Sequence, residues 1–112
     1  MNLSKTPKVV SINKKEEIQQ IINQGTKVST GLGPIFFYQH EPSTINKIAI
    51  LLKKNIGTAV RRNYIKRILR EIIRENNHIF NRFNRIVIIF SKRDNVNYHQ
   101  VRQIYNNIFN EL

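Results

Sequence analysis

The run from Lys54 to Glu75 constrains this chain more than any other stretch. It reads as a glycine-led turn, Gly57 followed by Thr58 as N-cap, opening into a helix from about Thr58 to Asn76. At about 100° per residue, Arg62, Lys66, Arg70 and Arg74 advance about 40° at a time along one side. Tyr64, Ile65, Ile68, Leu69 and Ile72 are expected on the opposite, apolar side. A helix so divided must bury one side on a core and turn its guanidinium groups outward. Charge runs are usually solvated faces, but those mix signs at i,i+4, and this face carries no acid from Arg61 to Arg70. Arg outnumbers Lys five to one among Arg61, Arg62, Lys66, Arg67, Arg70 and Arg74. Arg is the residue of bidentate phosphate and base-edge contacts, so the stripe points to nucleic acid, RNA before DNA. A membrane-surface helix is disfavoured, because so small a domain needs the apolar face for its core and has no Trp to seat in an interface.

The whole chain shares the imbalance. Its 112 residues carry 19 Lys+Arg against 7 Asp+Glu, a net charge of +12. Self-repulsion of that size costs stability, so an anionic partner is expected to neutralise it in use. The length suits one domain, residues 1–112, burying roughly two-thirds of its unfolded surface, with residues 1–12 as a loosely ordered N-terminal segment. An apolar content of 40% is ordinary globular material. The absence of cysteine excludes disulfides and thiolate metal sites and suits a reducing interior. The first residues lack the apolar run of a signal peptide, and no stretch approaches the ~20 apolar residues of a membrane span. The expected location is cytoplasmic, without a membrane partner.

The order of elements is short and regular. Asn13 and Glu16 read as an N-cap with its capping-box partner, opening a helix that carries Ile18, Ile21 and Ile22 on one face and closes at Gly25. The segment from Thr26 meets a break at Gly31–Pro34, followed by an aromatic strand from Ile35 to His40. A turn over 41–46 precedes a second strand from Lys47 to Leu52. The basic helix follows, then a loop with Phe80 and Phe83 turned to the core, a strand from Arg85 to Phe90 and an amphipathic helix from Tyr98 to Leu112. This is an α+β single-domain sandwich of order α-β-β(-β)-α-β-α.

Enzymatic constellations are missing. His40, His78 and His99 are far apart, and none has a partner at metal-ligand spacing. Glu16 and Glu17 suit a helix start, while Glu71 and Glu75 are within reach of Arg67 and Arg74 as helix-face pairs. Gly57 lacks the P-loop spacing and its lysine-serine pair, so a strand-to-helix turn explains it better than a phosphate cradle. No catalytic residue and no metal ligand is expected in the protein.

The segment from Ile56 to Glu71 resembles the signature of the bacterial ribonuclease P protein subunit, and the order of the surrounding elements is similar as well. That resemblance implies a mixed sheet with a left-handed β-α-β crossover through the basic helix. It implies a partner, the catalytic RNA subunit, and a substrate, precursor tRNA, whose 5′ leader the complex removes endonucleolytically. Chemistry would rest with the RNA and Mg²⁺ held mainly by RNA. By position, Arg61, Arg62, Asn63, Lys66, Arg67 and Arg70 would face the catalytic RNA, with Lys53, Lys54 and Arg74 as further phosphate contacts. Ile18, Ile22, Phe36 and Tyr38 would line a cleft for the leader. Stacking of bases on Phe36 or Tyr38 stands beside ordinary core packing as a reading of the two rings. Tyr64 stands where the family has its second signature arginine, and Ile18 and Ile22 stand where it has aromatics. The alternative is a non-enzymatic RNA-binding module of ribosomal-protein or chaperone type.

Overall fold

The computed structural model describes residues 9–41, 45–92 and 97–112. The elements are β1 (Val9–Ser11), α1 (Lys15–Gln24), β2 (Thr26–Val28), β3 (Ile35–Tyr38), β4 (Asn46–Leu52), α2 (Ala59–Glu75), β5 (Arg85–Phe90) and α3 (Tyr98–Glu111). Single 3₁₀ turns at Lys54–Ile56 and Asn77–Asn81 flank α2. One mixed sheet has the order β1-β4-β5-β3-β2, with β1, β4 and β5 parallel and β3 antiparallel to both β5 and β2.

Strand alternation divides the sheet into two faces. Ile35, Phe37, Ile48, Ile86, Ile88 and Phe90 join the main core under α2 and α3. Phe36, Ala49 and Val87 face the other way, with Ile12 and Ile21, into a smaller core under α1. β5 is buried on both sides, which accounts for its unbroken apolar run.

The hand of the β4-α2-β5 connection follows from which way the amides point. A strand running upward with its side chain toward the viewer turns that residue's N–H and C=O to the right. The side chain of Lys47 meets α1, while its N–H donates to the Asn84 carbonyl beside β5. Seen from α1, β5 therefore lies right of β4; seen from α2, it lies left. A crossover that moves left beneath its own helix is left-handed, against the usual preference.

Three local readings are corrected. Residues 9–11 form a strand, paired Val9↔Asn46 to Ser11↔Ile48, rather than a loose segment; residues 1–8 lie outside the described residues. Asn13 does not cap α1: Lys14 holds the N-cap position without a side-chain bond. The helix does close at Gly25, in an extended conformation (φ −77°), and the lack of a side chain there serves the close approach of the Phe37 carbonyl, 2.8 Å from where a Cβ would stand. The aromatic strand also ends early, at Tyr38, because the Asn84 side chain takes both main-chain groups of His40 (2.8 and 2.9 Å).

Candidate nucleic-acid interface

The start of α2 is built by its sequence. Ile56, 1% exposed, anchors the 3₁₀ turn, and Gly57 then takes φ 137°, a conformation L side chains rarely adopt. The Thr58 hydroxyl accepts from the Arg61 N–H at 3.3 Å, as an N-cap should. Ile65, Ile68, Leu69, Ile72 and Ile73 are buried, each contributing about 1.5–3 kcal/mol by removal from water.

The cations spread over the remaining arc. Asn63, Arg67, Arg70 and Arg74 are exposed and Lys66 is half-buried. Lys53 and Lys54 are exposed at the foot of the helix. Arg61 and Arg62 lie at the two margins of the buried face and are half-buried. Each also serves the fold: Arg61 Nη2 donates to the Lys92 carbonyl (3.4 Å) and Arg62 Nη1 to the Lys53 carbonyl (3.0 Å). Tyr64 corrects the expectation for the apolar side. It is 44% exposed and sits among the cations, with the Arg67 guanidinium 5.7 Å from its ring centroid. Its helical angle puts it midway between the faces, and the tyrosine hydroxyl tips the choice toward water. Glu75 bonds to Arg102 of α3 (2.5 Å) instead of pairing along its own helix.

On the opposite sheet face, Ile18, Ile22, Phe36 and Tyr38 come together, the set the family resemblance implies, around a floor of Ala49, Leu51, Val87 and Ile89. The floor was readable from the alternation of β4 and β5, whose odd positions share this face. Phe36 is only 6% exposed and packs as core. Tyr38 is half-buried, with its hydroxyl donating to Gln24 Oε1 at 3.3 Å and its ring 6.5 Å from that of His40. Tyr38 is thus the ring at the rim of the cleft.

One network fixes α1 over this face, and the sequence reading missed it. Arg85 heads β5 with its side chain 4% exposed. Its Nε donates to Glu17 Oε2 (2.8 Å), and its Nη1 to the carbonyls of Ile45 (2.7 Å) and Asn84 (2.9 Å). Lys47 Nζ lies 3.5 Å from the other Glu17 oxygen. Burial raises the Glu17 carboxyl, but the Arg85 hydrogen bond and the charges of Lys47 and Arg85 outweigh it, leaving the group below its ordinary value. The available signal was an arginine at the head of the most apolar strand, where a charge persists only if paired.

Among the described residues no group of three or more His, Asp or Glu could hold a metal ion. No helix of the described residues is long and apolar enough to cross a membrane. A cationic helix on one side of the sheet and an apolar cleft on the other, on a small α+β scaffold, define an RNA-binding protein of one domain. The family model for Ribonuclease P matches residues 6–112, and the chain belongs to that family.

The chain is 34% identical over 89 residues to the ribonuclease P protein component of Acholeplasma laidlawii (80% of this chain, 76% of the relative). It is 30% identical over 101 residues to that of Borrelia hermsii, covering 88% of each. The structure of the RNase P protein from Thermotoga maritima superposes with a TM-score of 0.75 over 91% of this chain and 96% of that one, at 23% identity. The chain is accordingly the protein component of a tRNA-processing ribonuclease, ribonuclease P.

Proposed function

We propose that the two surfaces divide the work of the holoenzyme. The exposed face of α2 (Arg62, Asn63, Lys66, Arg67 and Arg70, with Arg61 at its margin) grips the catalytic RNA. Lys53, Lys54 and Arg74 extend that grip to neighbouring phosphates. The cleft of Ile18, Ile22, Phe36 and Tyr38 receives the single-stranded 5′ leader of precursor tRNA. The observation that carries this reading is the placement of a continuous cationic arc and an apolar, ring-edged cleft on opposite faces of one five-stranded sheet.

The protein supplies affinity and orientation, and the RNA with its Mg²⁺ performs the phosphodiester hydrolysis. Mg²⁺ is held mainly by the RNA, whose phosphate oxygens are the hard ligands it prefers. In the cleft, Tyr38 is the leading stacking platform, since Phe36 is covered; stacking on a ring contributes about 1–3 kcal/mol per base and tolerates any sequence. With isoleucines in place of further rings on α1, the leader gains apolar contact there and little else.

The test is equilibrium binding of precursor and mature tRNA to the protein–RNA complex. The reading expects tighter binding of the leader-bearing form, lost in Tyr38→Ala. Equal affinity for both tRNAs would overturn the cleft as the leader site.

A further inference from the structure

Between the two surfaces lies a stretch of sheet edge to which neither has been assigned. β1 pairs only with the first half of β4: the last pair is Ser11↔Ile48, and the last bond runs from Ile12 N–H to the Ile48 carbonyl (2.8 Å). β4 continues to Leu52. Its odd residues turn their main-chain groups to β5, as Lys47 N–H to Asn84 and Lys53 N–H to Phe90 show. The N–H and C=O of Ile50 and Leu52 therefore point the other way, past the end of β1, where no strand of the described residues pairs with them. Beyond Leu52 the strand ends, and the Lys53 carbonyl that follows accepts from Arg62 Nη1.

At Ile50 this short edge opens into a notch of about 150 Å³. Its lining joins both sites: Lys66 and Arg70 come from the basic face of α2, Ile18 from the cleft, and Ile50 from the edge itself. One water needs about 10–15 Å³ of such space, so the notch has room for a phosphate with its ester oxygens. Unpaired edges are normally blunted or covered. Here the edge is two amides long, too short for an added strand, and walled by two cations.

We infer that the open edge of β4 is a phosphodiester site for single-stranded RNA, with the Ile50 N–H in the notch donating to a phosphate oxygen beside Lys66 and Arg70 and the Leu52 N–H donating next along the strand. The inference rests on the reading of the cleft as a leader site and adds the path by which a strand crosses from the RNA-gripping helix into it. Main-chain donors and lysine or arginine contact phosphate without reading sequence. The carbonyls of Ile50 and Leu52 alternate with the amides along the edge. They repel phosphate and instead accept from a ribose 2′-hydroxyl, which favours RNA over DNA at this step.

The test is a ¹⁵N and methyl NMR titration of the full chain with oligouridylate, a strand that does not pair with itself, and with its 2′-deoxy counterpart. The Ile50 and Leu52 amide protons should move downfield, with the same midpoint as the Ile18 and Leu51 methyls, and less with the deoxy strand. Lys66→Gln/Arg70→Gln should raise the midpoint about tenfold or more, as loss of two charge-assisted contacts requires. Methyl shifts without movement of the two amides would overturn the edge site and leave the cleft standing. An oligouridylate that moves neither set, while the protein still promotes precursor cleavage, would overturn edge and cleft together but leave membership of the holoenzyme intact.

Discussion

Replacing Glu17 by glutamine isolates the electrostatic part of the clamp that holds α1 over the sheet. The substitution keeps the shape of the side chain and one neutral acceptor, but removes the carboxylate charge that the Arg85 guanidinium, 4% exposed, bonds through its Nε. Breaking a fully buried pair costs about 3–5 kcal/mol, and losing a hydrogen bond to a charged group about 1.5–3. The Glu17 side chain is 20% exposed, so water already screens it and the lower range applies, about 1.5–3 kcal/mol. For a domain near this size each kcal/mol moves the melting point by about 4 °C, which gives a fall of about 6–12 °C. The assay is a circular dichroism melt of both proteins in one buffer of fixed salt and phosphate. The pH dependence has a definite sign. A carboxyl held below its ordinary value of 4.5 contributes stability that is fully present above that pH and lost as the pH falls through its folded-state value. The gap between wild type and Glu17→Gln should therefore be constant near neutrality and narrow on acidification. The double variant Glu17→Leu/Arg85→Met, which removes both charges, should melt closer to wild type than Glu17→Gln. A Glu17→Gln protein within about 0.5 kcal/mol of wild type, the range of ordinary surface changes, would refute the clamp.

Three further substitutions separate surface from core. Arg67→Ala should leave the melting point alone and reduce the log–log salt slope of RNA binding by about one unit; an unchanged slope would remove Arg67 from the interface. Ile68→Ala, at a side chain 4% exposed, should destabilise by about 2–5 kcal/mol in a urea titration, and a negligible loss would mean the faces of α2 are reversed. Tyr105→Phe should stabilise by about 1 kcal/mol. The buried Tyr105 hydroxyl finds no hydrogen-bond partner among the described residues, and burial pushes its ionisation far up. A clear loss of stability in that variant would show that the hydroxyl is bonded after all.

Legibility in the sequence followed the range of the forces. Gly57, Thr58 and the isoleucine spacing of α2 are local signals, and the helix, its cap and its buried face lie where they point. The apolar run of β5 and the alternation of β4 likewise marked strands whose burial is set by their own residues. β1 could not be read this way: three residues become a strand only because β4 offers a parallel partner far along the chain. Tyr64 went astray because its angle is marginal, and solvation of the hydroxyl decides the matter. The Glu17–Arg85 pair spans 68 residues and leaves no periodic trace. That Ile18, Ile22, Phe36 and Tyr38 share one cluster followed from the resemblance, since helix and strand periods say which residues share a face of one element but not which elements meet. Which of Phe36 and Tyr38 stays accessible depends on how α1 settles on the sheet, and only the fold shows it.

The most direct measurement is multiple-turnover cleavage of a precursor tRNA by the cognate catalytic RNA at low Mg²⁺, with and without this protein, using substrates with and without a 5′ leader extension beyond the cleavage site. Protein-dependent cleavage is expected at the mature 5′ end, with a gain in substrate affinity that grows when the longer leader is present. Tight, salt-sensitive RNA binding without any stimulation of cleavage would contradict that expectation.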